Sequence, residues 1–389
     1  MRTLVVLHSG HTSGISRSLE GVLERLVELG PVHVLVPEIG AVADDLNGAS
    51  YLDAFPYTPL TVPRTRGEAT TMTTSLVRDF VALRRYIRRT DPDVVIVASA
   101  VLPSAVAAAA IERIPLLVYA AEIFDAGDPL RSFGAVALTR FTRRYADMIV
   151  CCSLAVANQY APARHGAIDV VYPPVSAAYA CGDGRSFRAR TRIDADEFCV
   201  ACVGNISRGR GQDVLLRAIP EIRRQIPRTR CVIAGLPHAR AVDIAYREQI
   251  DSLATQLGIE DAVSFVGQVR EMADLYAASD VVVNPARFSE PFGRVAFEAL
   301  MAGTPVVAAA VGGITELLCD GRNSLLFPRE DSGRLAKGVV RLAQDRTLGK
   351  RLVAEAAAST LPRLNQVNTD KKMVDAVRRL VDRNSQGTR

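Results

Sequence analysis

The chain has 389 residues, 49% hydrophobic and 23% charged, which excludes a disordered or collagen-like polymer and, at roughly 100–200 residues per domain, predicts two domains. Its 47 basic and 42 acidic side chains leave a net charge of +5, too mild to point to a nucleic-acid partner. Tryptophan is absent, which also counts against an aromatic platform for stacking single strands. In chain order, the first predicted strand is Leu4–Leu7, and the four-residue apolar core of MRTLVVLHSG is far short of a secretory signal. Helical spacing follows over Ser16–Leu29, then a strand at Val32–Val36, a helix over Thr74–Arg89 and a strand at Val94–Ala98. The stretch Val94–Ile111 is long enough to raise a membrane span. Pro103-Ser104 interrupts it, and a β-branched first part gives way to an alanine-rich second, which predicts strand, loop and helix instead. Strands follow at Leu116–Tyr119, Met148–Cys151 and Val170–Tyr172.

Pro173-Pro174 and the Gly-, Ser- and charge-rich segment 180–192 break this rhythm and read as a linker. It then restarts with strands at Phe198–Val203, Cys231–Ala234, Val263–Val266, Val281–Val283, Pro305–Ala309 and Leu325–Phe327, separated by helical segments at 211–226, 242–257, 291–302 and 331–344. Short continuous apolar strands alternating with helices predict parallel sheet. The expected architecture is α/β: two Rossmann-like, doubly wound domains, 1–177 and 197–363, joined by a linker over 178–196. A terminal helix over 364–389 is able to pack back on the N-terminal domain. In such sheets ligands sit outside the carboxyl ends of the strands, so both domains are expected to face a central cleft. The seven cysteines (151, 152, 181, 199, 202, 231, 319) fall mostly in apolar runs, as small hydrophobes do in a reducing compartment, and the expected location is the cytoplasm. Cys199 and Cys202 form a CxxC, but FCVACVG reads as a strand whose residues three apart point to opposite faces.

Three constellations bear chemistry. In EPFGRVAFE (290–298), Pro291 suits a first helical turn, placing Glu290 in the preceding loop and Glu298 about two turns along. The free amides of 292–295 would then form an anion site, and Gly293 lets a ligand approach the backbone closely. Acids flanking a phosphate-sized site suit a sugar nucleotide, whose hydroxyls donate and whose phosphates accept. GNISRGRG (204–211) follows a strand; three glycines and two arginines in a strand-to-helix turn describe a second phosphate cradle, although it is neither GxGxxG nor a P-loop. HSGHTSGISR (8–17) follows the first strand; its HxxH lacks the third ligand a zinc site needs, so no metal is expected.

Taken in this order, these motifs resemble glycosyltransferase family 4, retaining enzymes of the GT-B fold. The likeness extends to EAL-MAGTPVVAAAVGG (298–313), GITELLCDGRNSLLFP (313–328) and FVGQVREMADLYAASDVVVNPA (265–286). It implies a metal-independent hexosyltransferase that uses a nucleotide-diphosphate sugar as co-substrate and no cofactor. By the resemblance, Glu298 holds the ribose hydroxyls and Glu290 contacts the donor sugar. Amides at Phe292, Gly293, Arg294 and Val295 meet sugar and phosphate. The family's diphosphate-binding Arg and Lys fall on Asn205 and Arg210; Asn205 lacks the charge, and Arg208 is placed to compensate. Gly14 approaches the phosphate from the first domain. Val269 and Glu271 lie where the base docks; a carboxylate at Glu271 accepts from guanine N1 and N2 and favours GDP, with UDP left open.

The acceptor is expected at loops of the first domain, Gly10–Arg17, Tyr51–Thr71 and Glu122–Ser132, with His11, Ser13 and Arg17 on the acceptor side. Many relatives carry a His after the fourth strand, where this chain has Ala121 beside Glu122. Three alternatives stand: the leaving phosphate takes the acceptor's proton unaided, Glu122 substitutes, or the acceptor deprotonates easily, as a thiol does. The expected partners are a nucleotide sugar and a small-molecule or natural-product acceptor, with lipid or polysaccharide as the alternative. Arginine clusters at 84, 85, 88, 89 and at 140, 143, 144 read as solvated helix faces in preference to a membrane-docking surface. The rival readings are a sugar-nucleotide epimerase of the same fold, a two-lobed solute receptor and a nicotinamide dehydrogenase, the last opposed by the missing GxGxxG.

Overall fold

The computed structural model describes all residues except 12, 41, 43–45, 47–48, 61–65, 125–128, 162–166 and 388–389. The chain divides into two compact units, Met1–Pro174 with Gln366–Arg389, and Val175–Asn365. In the first unit, β1 (Thr3–Leu7), α1 (Gly14–Val27), β2 (Val32–Val36), β3 (Tyr51–Ala54), α2 (Arg66–Thr90), β4 (Val94–Ala98), α3 (Pro103–Ile111), β5 (Leu116–Ala120), α4 (Pro129–Tyr145), β6 (Met148–Cys151), α5 (Leu154–Ala157) and β7 (Ala167–Val170) build a parallel sheet of order β3-β2-β1-β4-β5-β6-β7. β1, β4 and β5 are buried along their whole length, as strands covered by helices on both faces must be. The apolar stretch Val94–Ile111 is thus β4, a turn and α3. Among the described residues no helix is long and apolar enough to cross a membrane.

The second unit holds α6 (Gly184–Thr191), β8 (Phe198–Val203), α7 (Gln212–Gln225), β9 (Thr229–Ala234), α8 (Ala241–Gln256), β10 (Val263–Gly267), α9 (Met272–Ala278), β11 (Val281–Asn284), α10 (Arg294–Met301), β12 (Val306–Ala309), β13 (Leu325–Phe327), α11 (Ser332–Gln344) and α12 (Arg346–Ser359). Its sheet runs β10-β9-β8-β11-β12-β13, parallel throughout, so the strand order reverses between β8 and β11. The final helix, α13 (Gln366–Gly387), packs against α1 in the first unit.

Three local expectations are corrected. The segment 178–196 is no linker. A 3-10 turn, Ala177–Cys181, and α6 dock on α9: Phe187 is buried, Arg188 pairs with Asp280 at 2.8 Å, and Arg190 pairs with Asp274 at 3.1 Å. Its charges face partners brought from about ninety residues away, which local composition could not reveal. β7 lies at Ala167–Val170, ahead of the apolar run Val170–Tyr172, because its register with β6 starts at Met148↔Ala167. β3 is a half-exposed edge strand without a continuous apolar run and escapes a hydrophobicity reading. Both cysteines of the CxxC are buried in β8, and burial pushes the Cys199 and Cys202 thiols up to about 12, away from nucleophilic chemistry.

Candidate functional site

The loops leaving the carboxyl ends of β8 and β11 belong to neighbouring strands at the point where the order reverses, the place where open parallel sheets bind ligands. The β8 loop tightens into the 3-10 turn Arg208–Arg210 and closes on Gly211, whose φ is 72°. A Cβ at Gly211 would lie 2.1 Å from the carbonyl oxygen of Pro285. The β11 loop clamps this turn: the amides of Arg287 and Phe288 donate to the Gly209 carbonyl at 2.8 and 3.4 Å. Arg287 Nη2 also reaches Asp213 Oδ2 at 2.6 Å, and Asp213 Oδ1 accepts from the Tyr246 hydroxyl at 2.7 Å.

Arg210 is held between two residues of the same β11 loop. Its Nη1 donates to both carboxylate oxygens of Glu290, at 3.2 and 3.0 Å, and its guanidinium lies 5.1 Å from the Phe288 ring centroid. Glu290 is only 6% exposed, and its own carbonyl accepts from the Gly313 amide at 2.8 Å. A cation that is partly exposed and a buried carboxylate thus share one rigid turn. Arg208 is exposed, its carbonyl accepting from the Gly211 amide at 3.3 Å. Asn205 is also exposed; its Nδ2 meets His238 Nε2 at 2.9 Å, and its carbonyl accepts from Gln212 at 3.1 Å.

Pro291 does not open a helix. α10 starts at Arg294, capped by Gly293 with φ of 84°. The start of α10 therefore lies at Arg294 and Val295, while Phe292 is buried and stacked on Phe297 at 4.7 Å. Glu298 is the fifth residue of α10, just over one turn in and not two. A Cβ at Gly293 would sit 2.4 Å from Ile314 Cγ1. Gly293→Ala combines a left-handed backbone with overpacking and is expected to cost about 2–4 kcal/mol, read by equilibrium urea unfolding; wild-type stability would refute this.

Glu298 is 3% exposed. Its Oε1 accepts from Arg294 Nε at 3.2 Å and its Oε2 from the Tyr276 hydroxyl at 2.8 Å. Tyr276 is fully buried and meets Tyr179, from the 3-10 turn Ala177–Cys181, edge-on at 5.7 Å. Val269 and Glu271 lie between β10 and α9. Glu271 is exposed, and Arg190 Nη2 stands 4.0 Å from its carboxylate.

In the first unit, Ser13 caps α1: its hydroxyl accepts from the Ser16 amide at 3.2 Å while Ser16 Oγ accepts from the Ser13 amide at 2.8 Å. That side chain is committed to a cap. Gly14 is the first helical residue, His11 is exposed with Nε2 3.3 Å from Glu38, and Arg17 is half-buried, its amide donating to the Ser13 carbonyl at 3.1 Å. Of the acceptor loops, 61–65 and 125–128 lie outside the described residues. Glu122 is half-buried past β5, where its carboxylate accepts from the Ser99 hydroxyl and from the Ala121 amide at 3.1 Å. The arginine cluster on α2 is partly consumed by the protein itself, since Arg84 and Arg88 both pair with Glu112 and Arg89 lies over Tyr86.

Five residues of these networks escaped the sequence reading: Tyr276, Phe288, Arg287, Asp213 and Ser99. Only Tyr276, Phe288 and Arg287 stood near motifs, in ADLYAASD and NPARFS. Nothing local marked Asp213 or Ser99, whose side-chain partners Tyr246, Arg287 and Glu122 lie far along the chain.

Two family descriptions match the chain: Glycosyltransferase Family 4 over residues 12–179 and Glycosyl transferases group 1 over residues 183–359. Among curated relatives, a D-inositol 3-phosphate glycosyltransferase of Mycobacteroides abscessus is 42% identical over 170 residues, covering 43% of this chain and 36% of the relative. One from Mycobacterium bovis is 34% identical over 224 residues, covering 57% and 45%. The matches thus span less than half the length of these relatives. Among solved structures, Anabaena HepE in complex with UDP and glucose superposes with a TM-score of 0.80 at 22% identity, covering 97% of this chain and 99% of that one. Sucrose-phosphate synthase from Thermosynechococcus elongatus gives 0.78 at 19%, covering 98% and 99%. At these identities the likeness shows the fold.

Proposed function

Because the chain belongs to glycosyltransferase family 4 and has the GT-B fold, we propose that it transfers a sugar, with retention, from a nucleoside diphosphate sugar to a small polyol-sized acceptor. The observation that carries this reading is the Arg210–Glu290 pair at the reversal point of the second sheet. Cleaving the anomeric C–O bond leaves negative charge on the diphosphate and oxocarbenium character on the sugar. Arg210, Arg208 and the amides heading α10 answer the first charge. Glu290 accepts from sugar hydroxyls while it orients Arg210. The acceptor oxygen bonds the anomeric carbon as that C–O bond breaks, and its proton passes to the departing phosphate oxygen, so no separate base is required. The size of the acceptor is taken from the relatives named for D-inositol 3-phosphate.

Two observations bear on the base. Glu271 is exposed and chemically suited to guanine N1–H and N2–H, whereas HepE was solved with UDP. We propose that Glu271 reads the base and that GDP binds more tightly than UDP. Isothermal titration is expected to show about tenfold tighter GDP binding, on the scale of one charged hydrogen bond, and Glu271→Gln is expected to abolish the preference. Tighter binding of UDP would overturn this choice of base, and no binding of either nucleotide would overturn the donor site itself.

A further inference from the structure

The first sheet also reverses its order, between β1 and β4, and its ligand crevice is therefore expected outside the carboxyl ends of β1, β4 and β5. The residue just past β4 is Ser99, with φ of 138°, a region L-residues avoid and which recurs at ligand clamps. Ser99 is fully buried. Its hydroxyl donates to Glu122 Oε1 and accepts from the Val101 amide at 3.2 Å. Glu122 Oε2 accepts from the amides of Ala121 and Ala100, at 3.1 and 3.5 Å. Its main-chain carbonyl accepts from Gln159 Nε2 at 3.0 Å, and Gln159 Oε1 in turn accepts from the Phe124 amide at 2.9 Å. The carboxylate is therefore fixed in place by neutral donors alone, and among the described residues no Arg or Lys pairs with it.

The same carboxylate also acts on its buried neighbours. The Cys151 thiol is pushed up to about 12 by burial and, second, by Glu122. The Tyr160 hydroxyl, fully buried and without a hydrogen bond among the described residues, is pushed up by the same two causes in the same order. A rigid carboxylate with no countercharge among the described residues attracts a cation and disfavours a second anion, because like charges at a recognition site suppress the wrong partner.

Building on the proposed glycosyl transfer, we infer that Glu122, positioned by Ser99, selects an acceptor bearing an ammonium group, an amino-substituted polyol, over a phosphorylated one. The ammonium group donates to the carboxylate, and the hydroxyl to be glycosylated is held beside it.

The test compares three ring-matched acceptors, inositol, an inositol monophosphate and an aminodeoxyinositol, with wild type, Glu122→Gln and Glu122→Asp. Nucleoside diphosphate release reads turnover, and saturation-transfer NMR without donor reads acceptor binding. The amine is expected to exceed the phosphate at least tenfold in kcat/KM. Glu122→Gln should lower that ratio at least tenfold, and Glu122→Asp should restore most of it. A wild-type preference for the phosphate, or a ratio unchanged in Glu122→Gln, overturns the inference. Should no donor support turnover, the reading of transfer fails by itself and the NMR arm decides this one: amine binding lost in Glu122→Gln supports it, and binding without amine selectivity overturns it.

Discussion

Replacing Arg210 with alanine is expected to slow glycosyl transfer about 10²–10³-fold, the cost of losing one preorganised donor at developing charge. The guanidinium is preorganised in a specific sense. Glu290 and Phe288 hold it from one loop, and that loop is bonded to the turn carrying Arg210 through the Gly209 carbonyl. It needs little reorganisation as charge develops on the leaving diphosphate. The effect should fall mainly on kcat, because an interaction that strengthens in the transition state lowers kcat together with kcat/KM. Arg210→Lys should recover only part of the rate, since an ammonium lacks the planar fork that spans a carboxylate and a phosphate together. Single-turnover measurements with saturating donor would check this, and near-wild-type turnover in Arg210→Ala would remove Arg210 from the mechanism.

Removal of the Glu298 carboxylate should strike stability and nucleotide affinity together. The side chain is buried and receives Arg294 and the Tyr276 hydroxyl. Glu298→Ala therefore takes a buried hydrogen-bond partner from both Arg294 and the Tyr276 hydroxyl, a loss of about 3 kcal/mol on the scale of breaking a buried pair. The same substitution removes the acceptor proposed for the ribose hydroxyls, which should weaken nucleotide binding by about 1.5–3 kcal/mol. Glu298→Gln separates the two effects: it retains an acceptor oxygen for one partner and the side-chain volume, so it should recover more stability than affinity. Urea unfolding and calorimetric titration on the two variants measure each quantity. Equal affinity in Glu298→Ala and wild type would show that this carboxylate only props α10.

The difference between these two acids shows how far the chain could be read. Glu290 and Glu298 were both visible in EPFGRVAFE, and so was the basic turn 204–211, because strand-to-helix loops announce themselves by glycine and by the apolar run before them. The start of α10 was not. Pro291 is a common first helical residue, yet Gly293 adopts the left-handed entry and packs under Ile314, a neighbour twenty-one positions on. Similarly, Ser13 looked available for an acceptor until Ser16 claimed it as a helix cap.

What the sequence determined by itself was the alternation of buried parallel strands with amphipathic helices, the split into two domains and the residue types of the donor turn. These follow from hydrophobic periodicity and glycine placement, which are properties of neighbours along the chain. The tertiary structure alone decided that Arg210 faces Glu290 across eighty residues, that Tyr276 reaches Glu298, that 177–191 packs on α9, and that Glu122 is held by Ser99. Each depends on which strands and helices are brought side by side, and that is set by the packing of whole βαβ units, which no local run of residues encodes.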